Sequence, residues 1–196
     1  MIAGLVLAAG EGRRFGGAKL AAELEGESVL DHAVAAMLGV PAIERVVVVL
    51  GAHAEKVLAS SDLSEVEWVV CEQWKEGIAA SLRTGVQTLA DADAEAIVIT
   101  LGDEPLITAQ AIAAIVDRID TPAPAVRATY DGRPGHPVLI KRELFSEVGR
   151  LHGDEGARGL LTATGALEVE CGQLCRPDDI DEPEDLRRIS AIARGE

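Results

Sequence analysis

Four short apolar runs mark the first half of the chain: Ile2 to Ala8, Arg45 to Leu50, Glu67 to Cys71 and Ala96 to Leu101. Each is rich in Val, Ile or Leu and continuous rather than alternating, the pattern of a strand covered on both faces. Between them apolar and polar positions recur at helical spacing, over Ser28 to Leu38, His53 to Ala59 and Gly77 to Ala90. Strand and helix in alternation imply right-handed crossovers. The expected fold is therefore α/β: a doubly wound, mostly parallel, Rossmann-like sheet with helices on both faces.

The second half is less regular. A helix is expected from Thr108 to Ile119, before Pro122 and Pro124, then a strand over Val126 to Tyr130. A glycine- and proline-rich turn at Asp131 to Pro137 leads to a strand over Val138 to Ile140. Helices at Lys141 to Gly149 and Glu155 to Thr164, a strand at Leu167 to Cys171 and a helix at Glu182 to Ala193 follow. This half reads as a continuation of the sheet with one antiparallel strand. With no internal repeat, low-complexity tract or linker, one domain is expected over residues 1–196.

Composition narrows the function classes. Apolar residues make up 48% of the chain and aromatics 3%, a mixture suited to buried Val and Ile strands under Ala- and Leu-rich helices. The net charge of −15 argues against nucleic-acid partners and anionic membranes, which reward excess Lys and Arg. Cys71, Cys171 and Cys175 form no C-x-x-C pair, so they read as reduced cytosolic thiols. The chain lacks a basic signal-peptide start and any apolar stretch long enough to span a bilayer, so a soluble, cytoplasmic protein is expected.

Candidate chemistry begins directly after the first strand, in the glycine-rich loop from Leu7 to Lys19. Bare backbone N–H groups at the carboxyl end of a parallel strand can cradle a phosphate. A Rossmann fingerprint fails, because Phe15 stands where Gly or Ala is wanted and Gly51-Ala52-His53 stands where an acid should end the second strand. A Walker A loop fails too, since Ala18 separates Gly17 from Lys19 and Leu20 follows it. What remains is a loop with Arg13, Arg14 and Lys19, cations that suit a triphosphate.

The string LAAGEGRRFGGAK resembles the loop of the MobA-like NTP transferase family, L-A-[AG]-G-x-S-x-R-[MF]-G-x-x-K. The match covers Leu7, Ala8, Ala9, Gly10, Arg14, Phe15, Gly16 and Lys19, and departs at Gly12, where the family commonly has Ser. The resemblance implies that the loop, Arg13 and Gly12 included, wraps nucleotide phosphates, with Arg14 and Lys19 balancing the charge of pyrophosphate. Ala9, in place of a second glycine, implies CTP rather than GTP. The serine hydroxyl that the family offers at position 12 is absent.

The fourth strand ends in Leu101-Gly102-Asp103-Glu104-Pro105. An aspartate there points into the crevice where doubly wound folds bind ligands, and beside a triphosphate it requires a divalent cation, Mg²⁺ being the natural choice. A cap for the next helix explains Asp103 equally well on sequence alone. The family's G-D-x-P motif implies the metal-ligand role. The segment Asp178 to Leu186 resembles the family's D-[IV]-D-T-P-E-D-L, with Glu182 for Thr, and implies Asp181 as second ligand with Asp179 as support. Glu184 and Asp185 also suit the positive end of a helix.

Three further segments extend the resemblance. Trp74 to Arg83 is similar to W-x-x-G-x-x-x-S-L and implies nucleotide contacts at Gly77 and Ser81. Tyr130 to Pro137 is similar to Y-x-G-x-x-G-H-P, and Gly153 to Arg158 to G-D-x-G-A-R. These two are characteristic of the molybdenum cofactor cytidylyltransferase branch and place His136, Pro137, Asp154 and Arg158 around the acceptor. Residues 1–105 then form roughly the nucleotide-binding half and 106–196 the acceptor-binding half. The expected reaction is Mg²⁺-dependent transfer of CMP from CTP to molybdopterin, a phosphorylated pterin, with a molybdoenzyme receiving the product. The alternatives are transfer to another phosphorylated acceptor, such as a sugar or polyol phosphate, and a non-catalytic cofactor carrier.

Overall fold

The computed structural model describes residues 1–194, so the last two residues of the expected 1–196 domain lie outside the described residues. The chain runs β1 (Ile2–Ala8), β2 (Glu23–Leu24), β3 (Glu27–Ser28), α1 (Val29–Leu38), β4 (Arg45–Leu50), α2 (Ala54–Ser60), β5 (Glu67–Val70), α3 (Ile78–Asp91) and β6 (Ala96–Leu101). It continues with α4 (Ala109–Val116), β7 (Ala125–Tyr130), β8 (Arg133–Lys141), α5 (Phe145–Val148), α6 (Arg158–Thr164), β9 (Leu167–Glu170) and α7 (Pro183–Ala193).

Seven strands form one sheet in the order β5-β4-β1-β6-β8-β7-β9. β1 pairs in parallel with β4 on one side and β6 on the other, Leu5 lying opposite both Val47 and Ile99. β8 alone runs against its neighbours, antiparallel to β6 and β7, while β9 returns parallel to β7. The continuous apolar runs have the cause expected of them, since alternate residues of one strand serve two separate cores. Val6, Val48 and Val98 pack under α1, α2, α4 and α7, whereas Leu5, Val47, Val49 and Ile99 pack under α3, α5 and α6. Each fully buried Leu or Ile contributes roughly 1.5–3 kcal/mol.

Three expectations need correction. The expected Asp131–Pro137 turn is only Asp131–Gly132, both at positive φ (50° and 73°), and β8 starts at Arg133. Asp-Gly closes a two-residue hairpin, and the prolines and glycine after it sit inside a strand whose pairing with β7 is irregular between Arg127 and Thr129. The Lys141–Gly149 helix is instead the end of β8, a 3-10 turn at Arg142–Leu144 and the four-residue α5. The helix expected from Glu155 starts at Arg158. The small β2–β3 hairpin, turned by Glu25 and Gly26 at positive φ, was not expected.

Candidate active site

The strand order reverses at β1, with β4 on one side and β6 on the other, and a crevice opens there at the carboxyl ends of these strands. A cavity of about 560 Å³ fills it, lined by the loop Leu7 to Arg14, Lys19, Gly77, Ser81, Asp103, Asp154 and Asp181. The nucleotide loop and the acidic pair of the sequence reading therefore meet in one place. Two of these residues, Asp154 and Asp181, come from beyond residue 105.

The loop is folded on itself. The Gly12 carbonyl accepts from the N–H groups of Gly16 and Gly17, and the Glu11 carbonyl lies 2.8 Å from His53 Nε2. Gly12 has φ +64°, and a Cβ on it would sit 2.1 Å from the Gly17 carbonyl oxygen. The departure from the family serine is thus a requirement of this loop conformation rather than a simple loss of a hydroxyl. Lys19 then enters a short 3-10 turn and is buried.

Lys19 Nζ donates to Asp103 Oδ2 at 2.5 Å and to Asp181 Oδ1 at 3.0 Å, while Arg14 Nη2 donates to Asp181 Oδ2 at 2.5 Å. Burial opposes the Lys19 charge, but the two carboxylates outweigh it and raise its pKa. Asp103 lies two residues past the end of β6, and its carbonyl accepts from the Ile180 N–H at 2.9 Å, which ties the Asp178–Asp181 segment to the end of that strand. Asp185 fixes the same segment from the other side, its Oδ2 accepting from the N–H groups of Asp181 and Glu182 at the start of α7. The helix start expected of this acidic stretch is present, and the same stretch places Asp181 on the larger cavity. Arg13, exposed, pairs with Glu11 instead of with the cluster.

Two carboxylates within reach of one ammonium nitrogen are a donor set suited to Mg²⁺, which is commonly held by one or two carboxylates with phosphate oxygens completing its shell. Asp179 stands close behind. Burial, then Asp181 and Asp103, push its pKa up. Among the described residues no group of three or more His, Cys, Asp or Glu side chains forms a self-contained metal cage.

On the opposite wall, Gly77 starts α3 at φ +103°, and a Cβ there would lie 2.3 Å from the Gly153 carbonyl oxygen. That carbonyl accepts from Ala79 N–H, so the Gly153–Asp154 turn packs on the start of α3. Asp154 is thereby placed on the larger cavity, beside the loop, rather than with His136 and Arg158 as the resemblance implied.

A second cavity of about 160 Å³ adjoins the first through Leu7 and Ile78. Its walls are apolar (Leu82, Ile99, Val138, Leu161), and its polar groups are His136, Arg158 and Arg127. Antiparallel β8 brings His136 here, because its beginning lies beside the ends of the parallel strands. Pro137 lies in β8 next to His136 and lines neither cavity. Burial opposes protonation of His136, but the Glu104 carboxylate, and Asp103 behind it, raise its pKa. Sequence reasoning gave no role to Glu104 or Arg127. For Glu104 the available signal was an acid next to Asp103 at the end of a buried strand.

The doubly wound sheet, its switch-point cavity and a cationic loop facing paired carboxylates define a nucleotide-handling α/β protein. The chain belongs to the MobA-like NTP transferase domain family, which matches residues 4–169, and is a nucleotidyltransferase. It is 30% identical to the nicotine blue oxidoreductase of Paenarthrobacter nicotinovorans, over 96% of each chain. It is 31% identical to the purine catabolism protein PucB of Bacillus subtilis, over 95% of this chain and 94% of that one. Among solved structures, the Mycobacterium sp. strain JC1 homologue of Rv0371c superposes with TM-score 0.85 at 30% identity, covering 100% of this chain and 98% of the other. The manganese complex of Rv0371c from Mycobacterium tuberculosis H37Rv gives TM-score 0.78 at 29% identity, covering 96% and 97%. No helix among the described residues is long and apolar enough to cross a membrane.

Proposed function

We propose that the protein transfers CMP from CTP to molybdopterin in the presence of Mg²⁺, releasing pyrophosphate. The observation that carries this reading is the pairing of cavities. A roomy polar one holds the loop and the Lys19–Asp103–Asp181 cluster, and a smaller apolar one beside it ends in His136 and Arg158. The first suits a triphosphate, and the second suits a flat heterocycle carrying a phosphate. The resemblance of Tyr130 to Pro137 and of Gly153 to Arg158 to the cytidylyltransferase branch favours the pterin over a sugar or polyol phosphate. Residues 1–105 would chiefly bind the nucleotide and residues 106–196 the acceptor, with Asp154 and Asp181 crossing that division.

In this reading the loop N–H groups from Ala9 to Gly12 cradle the triphosphate while Gly77 and Ser81 line the nucleoside side. Lys19 and Arg14 exchange a carboxylate partner for the β- and γ-phosphates and neutralise the departing pyrophosphate. Mg²⁺, held by Asp103 and Asp181 when bound, supplies the positive charge that lets those carboxylates lie beside the nucleotide. The manganese complex of the mycobacterial neighbour supports a divalent ion in this fold. Arg158 and His136 hold the acceptor phosphate so that one of its oxygens forms a bond to the α-phosphorus as the α–β bridging bond breaks. A phosphate monoester is ionised near neutral pH, so positioning and charge stabilisation carry the catalysis without a strong general base.

Pyrophosphate release is the deciding assay, run with each NTP, with Mg²⁺ or Mn²⁺, and with molybdopterin or a sugar phosphate. Release with CTP and molybdopterin alone is the expected result. Release with GTP or with another acceptor keeps the transferase and overturns the branch. A parallel arm with NAD(P)H matters because one relative is named an oxidoreductase. Stabilisation by NAD(P)H and not by CTP would overturn the reading.

A further inference from the structure

Glu104 follows Asp103 in the turn after β6, and it is 7% exposed and does not line the larger cavity. Among the described residues, the one group within hydrogen-bonding distance of its carboxylate is His136 Nδ1, 3.4 Å from each oxygen, and Oε2 has no hydrogen-bond partner. A buried carboxylate with one long contact is unfavourable for stability, and an apolar side chain of similar size in such a place is often neutral or stabilising. Packing therefore gives no reason for an acid here. Its effect on His136 does.

His136 is gripped at two points. Glu104 takes the ring at Nδ1, and the Tyr130 hydroxyl donates to the His136 backbone carbonyl at 2.5 Å. Among the described residues Nε2 has no protein partner, yet it is not among the buried unpartnered atoms, so it keeps some exposure in a residue that lines the smaller cavity. Of the two arginines there, Arg127 is committed to Glu168 through Nε and Nη2. Arg158, at the first turn of α6, has no ion pair among the described residues.

We infer that Glu104 is a positioning residue for the acceptor: it fixes His136 through Nδ1 so that Nε2 and Arg158 together meet the anionic group of the substrate in the smaller cavity. Carboxylates commonly set the orientation and the protonated nitrogen of a functional histidine in this way. The inference rests on reading the smaller cavity as the acceptor site, and its test separates the two.

The test compares Glu104→Leu, Glu104→Gln, His136→Ala and the Glu104→Leu/His136→Ala double variant by steady-state pyrophosphate release. Glu104→Leu and His136→Ala should each raise KM for molybdopterin about 10- to 100-fold, the loss of a charge-assisted hydrogen bond. KM for CTP should stay unchanged, the double variant should be no worse than His136→Ala alone, and Glu104→Gln should restore much of the loss. The thermal midpoint of Glu104→Leu should equal or exceed that of the wild type. Additive effects in the double variant, an unchanged molybdopterin KM in Glu104→Leu, or a lowered midpoint would each overturn the inference. Nitrogen NMR of His136, which needs no acceptor, should show a protonated Nδ1 in the wild type and a changed tautomer balance in Glu104→Leu; unchanged ring signals would also overturn it. Absence of wild-type turnover with molybdopterin, alongside the expected NMR change, overturns the acceptor reading and leaves the Glu104–His136 coupling standing.

Discussion

Removing the Lys19 ammonium would leave Asp103 and Asp181 facing each other without the cation they share. Two consequences follow from one substitution. Lys19→Ala should cut turnover on the order of 10²–10³-fold, the usual effect of losing an electrostatic stabiliser, read as single-turnover pyrophosphate release. It should also lower the thermal midpoint in chelator, with a larger recovery on adding Mn²⁺ or Mg²⁺ than the wild type shows, because the metal then replaces a missing counter-charge. A midpoint indifferent to both the substitution and the metal would mean that the carboxylates do not depend on Lys19. Gly12 gives the opposite kind of test. Restoring the family serine (Gly12→Ser) should impair the enzyme and destabilise it by about 1–3 kcal/mol, since the side chain meets the Gly17 carbonyl at positive φ. Improved nucleotide affinity in that variant would show that the loop rearranges freely.

At the scale of elements, the start of α7 does two jobs through one side chain. Asp185 completes a capping box with Glu182 and also holds the backbone of Asp181. Asp185→Ala should therefore cost about 0.5–2 kcal/mol of stability and weaken metal-dependent stabilisation as well, measured by thermal denaturation with and without Mn²⁺. Loss of stability with metal response intact would limit Asp185 to the helix. The helix start was readable in the acidic stretch Asp178 to Asp185, though the hold of Asp185 on the Asp181 backbone was not. Strands β1, β4 and β6 were readable because their apolar runs are continuous where both faces are covered. β8 was not readable over Arg133 to Pro137, where two prolines, a glycine and two polar residues hide a strand held by tertiary pairing. The short α5 was overread because its apolar positions, Phe145 and Val148, suit one turn as well as a longer helix. Glu104 escaped notice for a different reason: its partner lies 32 residues away on the strand that was misread.

For the molecule as a whole, the site's charge is balanced while the protein's is not. Arg13, Arg14, Lys19 and Lys75 line the larger cavity against Glu11, Asp103, Asp154 and Asp181, within a chain of net charge −15. A triphosphate approaching this surface is repelled at long range and gains cations only inside the cavity. Below a salt concentration of about 0.1 M, where the Debye length is about 10 Å or more, kcat/KM for the nucleotide should therefore rise as salt is added. Steady-state kinetics across that range check it. A monotonic fall would mean that the local cations dominate the approach.

The contact between Lys19 and Asp181 joins positions 162 apart in sequence. During synthesis the loop and the sheet centre are made early, while the carboxylate that completes the cluster arrives after every other residue of the site. A growing chain can thus fold a nucleotide-shaped crevice long before it can finish the charge arrangement inside it. Proteolytic clipping before residue 178 would return the mature protein to that same half-built condition, with the loop present but Arg14 deprived of its partner and Lys19 left with Asp103 alone.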